Sequence, residues 1–228
     1  MPSRATPRWR GLIAGGTRTL PVAYVPVAHG RSATTGVVID SLDDLRVLFR
    51  GVPLDTVSPS LPADAPAALL LALYRLVAEE QGVSARRLTG TLRTDAPGRR
   101  LFPPEPSRRL LADLAAYREA ELPRWTTTPR RARPRVPGAA GPRRPEPLTL
   151  RFHADAYDGA VPAAGPRHAE RLAKLRAWRC QDRLDDALHL IRKAAAGTDN
   201  VLHPISTALA AGATTAEVCQ ALHEAWGT

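Results

Sequence analysis

Residues 129–147 of the 228-residue chain read PRRARPRVPGAAGPRRPEP, and no packed element is expected to run through such a stretch. Six Pro, six Arg and two Gly fall within its nineteen positions. Ordering that backbone would cost conformational entropy with almost no apolar burial to offset it. The sequence therefore predicts two foldable blocks, 36–128 and 148–228, joined by a disordered basic linker. A basic, poorly structured segment, 1–35, precedes them.

In the first block the hydrophobic pattern alternates between two periods. Val37-Val38-Ile39 is a short continuous apolar run, as a strand buried on both faces of a parallel sheet requires. Ser41 stands three residues before Asp44, a capping-box spacing, and Leu42, Leu45, Leu48 and Phe49 follow at helical intervals until Gly51 and Pro53. Thr56–Leu61 reads as the next strand. Ala65–Gln81 reads as a long helix with a wide stripe of Leu69, Leu70, Leu73, Tyr74, Leu76 and Val77, closed by Gly82. Leu88–Leu92 and Ser107–Glu121 repeat the pair, and Trp125–Thr128 begins a fourth strand. Strand and helix alternating in this way imply βαβ units and a parallel sheet. A closed (β/α)₈ barrel takes eight units and typically about 250 residues. Here the pattern stops after three and a half, so the expected fold is α/β, a partial TIM-barrel-like sheet.

The second block reads as helical. Arg167–Ala196 is predicted as one helix ending at Gly197, Pro204–Ala210 as a short one stopped by Gly212, and a last helix opens on Thr214 and Glu217, a second capping box. With fewer than half the strands of a barrel, the stripes on Ala65–Gln81, Ser107–Glu121 and Arg167–Ala196 are expected to face water, at about 25 cal/mol per Å². They then demand a partner, unless the C-terminal helices fold back over the sheet.

Charge narrows the function classes. The formal net charge is +10. Residues 1–35 and 129–147 carry +5 each, whereas 36–128 and 148–228 are each neutral. The basicity thus belongs to the flanking and linking segments, which lack interleaved aromatics for base stacking, and this counts against a nucleic-acid binder. No run of about 18 apolar residues marks a membrane span. The basic Met1–Arg10 stretch lacks the apolar core of a secretory signal, and Cys180 and Cys219 form no disulfide framework or metal spacing, so a cytoplasmic protein is expected.

Several stretches resemble the methylmalonyl-CoA mutase family: GVVIDSLDDLRVLFRGVPLDTVSPS (Gly36–Ser60), APAALLLALYRLVAEEQGV (Ala65–Val83), LTGTLRTD (Leu88–Asp95), LFPPEPSRRLLADLAAYREAELPRW (Leu101–Trp125), and the helical block from Glu170 to Trp226. The matches run in the family's order over about two-thirds of the chain. The resemblance implies an acyl-CoA-binding barrel threaded by the pantetheine arm, working with adenosylcobalamin in a carbon-skeleton isomerisation whose difficult chemistry belongs to the cofactor. Gly90-Thr91-Leu92-Arg93-Thr94-Asp95 corresponds to the family's substrate-binding Gly-Thr-Ile-Gln-Asn-Asp, with Arg93 in place of Gln. Arg124 corresponds to a basic residue that contacts the CoA moiety. The resemblance therefore nominates Thr91, Leu92, Arg93 and Arg124 for acyl-CoA binding.

Other family features have no counterpart. The segment with the substrate-facing tyrosine has none before Gly36. A strand ending Ser-Gly-Tyr-His should follow Trp125, where the chain runs Thr126-Thr127-Thr128-Pro129. None of His29, His153, His168, His189, His203 or His223 sits in the Asp-x-His-x-x-Gly pattern that supplies the lower cobalt ligand. Pro59 and Pro62 fall in a strand where proline is poorly tolerated. No catalytic residue is assigned, and adenosylcobalamin is implied by the resemblance alone. Four readings remain open: a non-catalytic subunit pairing with itself or with a full mutase; a residual enzyme completed by a separate cobalamin-binding subunit; a decayed remnant; and a basic nucleic-acid binder. His153 with Asp155 and Asp158 would be a metal cluster only by chance spacing, and the charges around Arg179–Asp186 read as a solvated helix face.

Overall fold

A computed structural model describes residues 19–23, 37–62, 65–93, 102–128, 146–152 and 166–226. Six strands form one sheet: β1 (Thr19–Ala23), β2 (Val37–Val38), β3 (Val57–Pro62), β4 (Gly90–Arg93), β5 (Trp125–Thr128) and β6 (Glu146–Phe152). Their order is β2-β1-β6-β3-β4-β5, and every pairing is parallel. The fold is therefore α/β, as expected. Three of the four strands foreseen between residues 36 and 128 shift by one or two residues at their ends, and Trp125–Thr128 is unchanged.

Two strands depart from the sequence reading. β1 lies within residues 1–35, and β6 begins at Glu146, inside the stretch read as linker, and runs into the block read as helical. In β6 the apolar positions Leu148, Leu150 and Phe152 alternate strictly, which is a strand signature that Pro145 and Pro147 obscure. The rest of the linker, 129–145, lies outside the described residues. β3 is central despite Pro59 and Pro62. Each proline deletes only its own N–H from the ladder, and Pro62 is the last residue of its strand.

Among the described residues seven α-helices accompany the sheet. Helix α1 (Leu42–Leu48) starts at the foreseen capping box: Oδ2 of Asp44 accepts from the backbone N–H groups of Asp40 (3.1 Å) and Ser41 (3.0 Å) and from the Ser41 hydroxyl (3.0 Å). Helices α2 (Ala65–Glu80) and α3 (Pro104–Glu121) follow. The helix foreseen over Arg167–Ala196 is two, α4 (Pro166–Trp178) and α5 (Gln181–Ala196). The break has a tertiary cause. The Arg179 guanidinium donates to both carboxylate oxygens of Glu217 (2.8 Å each) and to the Gly212 carbonyl (3.2 Å), while Cys180 takes an extended conformation as N-cap of α5. Helices α6 (Leu202–Ala210) and α7 (Thr215–Trp226) complete the chain.

The apolar stripe of α2 and that of α3, apart from the exposed Leu111, do not face water. One continuous core runs from Ile39 to Leu222, and Leu69–Tyr74 of α2 are buried. The C-terminal helices lie on α2 and α3, which is the fold-back alternative. Polar contacts secure this seam. Arg109 of α3 donates to the carbonyls of Ala194 (2.6 Å), Ala195 (2.7 Å) and Asp199 (3.2 Å) at the end of α5. Asp113 accepts from the Val201 N–H (3.2 Å) through Oδ2 and from the Asn200 amide (2.8 Å) through its carbonyl. Tyr117, fully buried, accepts from Arg75 (2.8 Å) and shares a hydrogen bond with Ser206 (3.2 Å).

Candidate functional site on the hydroxyl face of the sheet

Residues alternate between the two faces of a strand. Val57, Pro59, Leu61, Leu92 and Trp125 are buried on the face that meets the helices. Ser58, Thr91 and Thr126 belong to the other face and keep contact with solvent. The register then produces a pattern that no single segment shows. Thr19 pairs with Thr149, Thr149 with Ser60, Ser60 with Thr91, and Thr91 with Thr126. Five hydroxyl residues thus stand in one row across β1, β6, β3, β4 and β5. At the β4–β5 end the Thr91 and Thr126 hydroxyls are 3.3 Å apart, and Thr126 Oγ1 also donates to the Gly90 carbonyl at 3.4 Å. Thr89, two residues before Thr91, donates to the Val57 carbonyl (3.3 Å). A hydroxyl both donates and accepts, so the Thr91–Thr126 pair can meet either a donor or an acceptor.

Gly90 sets the row's position. A Cβ there would lie 2.5 Å from the ring of Trp125, which covers the glycine from the helix side. Close packing of β4 on β5 therefore needs glycine, and it holds Thr91 opposite Thr126.

The four nominated residues fall at distinct places. Thr91 is in the row. Leu92 is buried on the helix-covered face, so its side chain belongs to the core. Arg93 is the last residue of β4, at the C-terminal edge of the sheet, the side on which parallel sheets of this class bind ligands. Arg124 is exposed and precedes β5 at the opposite edge. With Gly90 level with Trp125, Arg124 and Arg93 stand four register positions apart, about 13 Å along the strands. Ser60, Thr126, Thr19 and Thr149 are not among the residues the sequence nominates. The signal was present only as Ser/Thr at alternate positions of short strands, and the row becomes visible once register is known.

A second concavity, about 670 Å³, lies between α1, α4 and the α6–α7 turn, with Arg46, Lys174 and the exposed Trp178 on its walls. Its cations are matched: Arg46 by Asp43 and Glu80, Lys174 by Glu170, Arg171 by Asp44, and Arg179 by Glu217. Burial pushes the Glu217 carboxyl up, but the Arg179 guanidinium and two hydrogen bonds from Thr214 outweigh it and hold the group below its ordinary value. These are structural ion pairs.

The candidate metal cluster of His153, Asp155 and Asp158 lies outside the described residues. Among the described residues no group of three His, Cys, Asp or Glu is arranged to hold a metal. The three histidines whose side chains are described do not fit a cobalamin. His203 packs against the Tyr117 ring (5.1 Å between centroids), His223 against Phe102 (4.6 Å), and His189 is exposed on α5. No step is therefore derived through that cofactor.

The family model for methylmalonyl-CoA mutase matches residues 24–129 and 157–228. Strands β1 and β6 lie outside both stretches. The methylmalonyl-CoA mutase large subunit of Propionibacterium freudenreichii subsp. shermanii is 35% identical over 136 residues, 52% of this chain and 19% of that protein. Methylmalonyl-CoA mutase of Escherichia coli K12 is 34% identical over 136 residues, again 52% of this chain and 19% of the relative. Ethylmalonyl-CoA mutase of Cereibacter sphaeroides is 41% identical over 105 residues, 43% of this chain and 16% of the relative. The chain thus spans less than a fifth of the length of these relatives. With the family model covering most of its residues, the chain belongs to the methylmalonyl-CoA mutase family.

Proposed function

We propose that this protein binds an acyl-CoA along the hydroxyl face of a partial (β/α) barrel and serves as a non-catalytic, accessory member of a mutase assembly in the cytoplasm. The row containing Ser60, Thr91 and Thr126 carries the reading. The pantetheine arm of CoA is a string of amides and short apolar links, and hydroxyls on both sides of it supply donors and acceptors alike. Arg124 at one edge and Arg93 at the other, about 13 Å apart, suit an extended ligand with an anionic head at one end and an acyl thioester at the other. Leu92 backs the Thr91 position from the core. The accessory role is supported by β5, whose Trp125-Thr126-Thr127-Thr128 is followed in the sequence by Pro129 where the family resemblance calls for Ser-Gly-Tyr-His, and by His203 and His223, both engaged in ring contacts.

The test is calorimetric titration of the full chain with an acyl-CoA, beside the Thr91→Val/Thr126→Val pair and Arg124→Gln. Saturable binding is expected, weakened about tenfold by either change, since hydrogen bonds to a ligand are each worth roughly 1 kcal/mol and those to a charged group more. Incubation with adenosylcobalamin alone is expected to give no isomerised product. Absence of acyl-CoA binding overturns the proposal. Turnover on adding a cobalamin-binding subunit would replace the accessory role by that of an enzyme completed in trans.

A further inference from the structure

The concavity of about 670 Å³ between α1, α4 and the α6–α7 turn shares no residue with the hydroxyl row. Contacts near both ends of α4 hold it open. Arg171 reaches Asp44 of α1 at 2.7 Å, and Arg179, just past the last turn, donates to Glu217 and to the Gly212 carbonyl. Gly212, at φ 92°, lets the α6–α7 turn pack on α4: a Cβ there would lie 3.3 Å from Cβ of Arg179 and 3.6 Å from a methyl of Leu175. Helix α4 is thus tied to α1 on one side and to α7 on the other, and the hollow between is preformed. Its floor is apolar, with Leu42, Leu175 and Leu209, and Trp178 stands at its wall. Trp178 is 88% exposed, more than any other large hydrophobic residue among those described. Around the floor the lining carries four cations, Arg46, Arg171, Lys174 and Arg179, against one carboxylate, Asp43. Their other partners, Asp44, Glu80, Glu170 and Glu217, are not part of the lining. Each of these pairs is therefore a dipole with its positive end towards the hollow. Lys174 is 69% exposed, and its contact with Glu170 takes one of the three donors of its ammonium. An exposed pair of this kind is worth little by itself and is readily shared with an incoming anion.

We propose that this concavity binds a small amphipathic anion, a carboxylate on an apolar body, with Lys174 at the carboxylate, the leucine floor under the body and the Trp178 ring against it. The volume is that of small-ligand sites, which combine apolar walls with a few polar groups. A protein partner fits less well. The core of a protein interface is depleted in charge and needs roughly 800 Å² per side, whereas four cations line this hollow and Trp178 is the one large apolar residue of its lining that is exposed. The proposal is independent of the acyl-CoA reading.

The experiment is calorimetric titration of the full chain with octanoate, hexanoate, octan-1-ol and octylammonium. Wild type is compared with Lys174→Gln and Trp178→Ala, and with Thr91→Val/Thr126→Val as a control for location. Lys174 and Trp178 are both exposed, so their variants are expected to keep the wild-type thermal transition. Octanoate is expected to bind one per chain. Hexanoate should bind roughly tenfold more weakly, since each methylene taken from water is worth about a factor of four. Octan-1-ol binds several-fold more weakly than octanoate, and octylammonium more weakly still. Lys174→Gln brings octanoate down to the level of octan-1-ol, Trp178→Ala weakens every probe, and the hydroxyl-row control binds octanoate as wild type does. Octylammonium binding as tightly as octanoate, no saturable octanoate binding at millimolar concentration, or an octanoate affinity unmoved by both Lys174→Gln and Trp178→Ala overturns the proposal. Loss of octanoate binding in the hydroxyl-row control does the same, because the probe then sits on the sheet. Sedimentation without ligand tests the other occupant: a wild-type dimer that Trp178→Ala dissociates would make the hollow an interface between two copies and overturn the ligand site. The contrast between octanoate and octylammonium in wild type needs no variant and decides the matter should a variant not fold.

Discussion

Replacing Gly90 by alanine tests how the hydroxyl row is held in place. The new methyl would sit 2.5, 2.6 and 2.7 Å from three ring carbons of Trp125, about 1 Å inside normal carbon contact. The indole has nowhere to retreat. Trp125 is 1% exposed, its ring meets Tyr74 edge-on at 5.9 Å, and Tyr74 meets Phe49 at 5.5 Å. The clash must therefore be relieved by moving β4 against β5 or by pushing the aromatic stack into α2. Overpacking of this kind costs 1–3 kcal/mol, and three close contacts on a rigid ring put Gly90→Ala near the upper end, about 3 kcal/mol. For a chain of this size that corresponds to a Tm lower by roughly 6–12 °C. Trp125→Leu alone is expected to cost about 2–3 kcal/mol through the space it leaves. The double variant should cost less than the sum by at least about 1 kcal/mol, because the methyl partly fills that space. Urea denaturation of the four proteins gives the cycle. A Gly90→Ala midpoint equal to wild type, or strictly additive single effects, would refute the packing account of why glycine is required.

Two further outcomes follow from polar contacts of the C-terminal helices. Arg109→Ala removes the donor to three carbonyls at the end of α5 and is expected to destabilise by about 2 kcal/mol in chemical denaturation, with Arg109→Lys intermediate; no change would show that water replaces the guanidinium without loss. Glu217 has a folded-state pKa below its ordinary value of 4.5, so its contribution is fully present above that value and is lost as pH falls through the lowered one. Glu217→Gln should therefore flatten the acid limb of the stability profile and lower the plateau at neutral pH, and an acid limb unchanged in slope would exclude Glu217 as its source.

The parts of the fold that the sequence made legible are those decided by neighbours along the chain. The Ser41–Asp44 and Thr214–Glu217 capping boxes form where their spacing placed them. Gly51, Gly82 and Gly212 end helices with φ of 74°, 75° and 92°, values that favour glycine. What stayed hidden depends on residues far apart. The break between α4 and α5 is bound up with Arg179 reaching Glu217, nearly forty positions on, and nothing in the helical periodicity of Arg167–Ala196 marks it. The strands β1 and β6 each carry a proline that blurs their strand pattern, so their identity comes from the edges they pair with. Thr91 and Arg93 are nominated through family resemblance alone. That Thr126 and Thr149 stand level with Thr91 depends on register, which a single sequence does not specify.

The central place of β6 also imposes an order on synthesis. Strands β1 and β2 emerge first, and β3, β4 and β5 after them, but the first pair has no edge on β3 to join because β6 fills the slot between them. Until Phe152 has left the ribosome the nascent chain carries two separate half-sheets, each with an unpaired inner edge. At about 5–20 residues per second that interval lasts on the order of ten seconds. Open parallel edges held that long invite pairing with other nascent chains, until the last strand arrives and fills the slot.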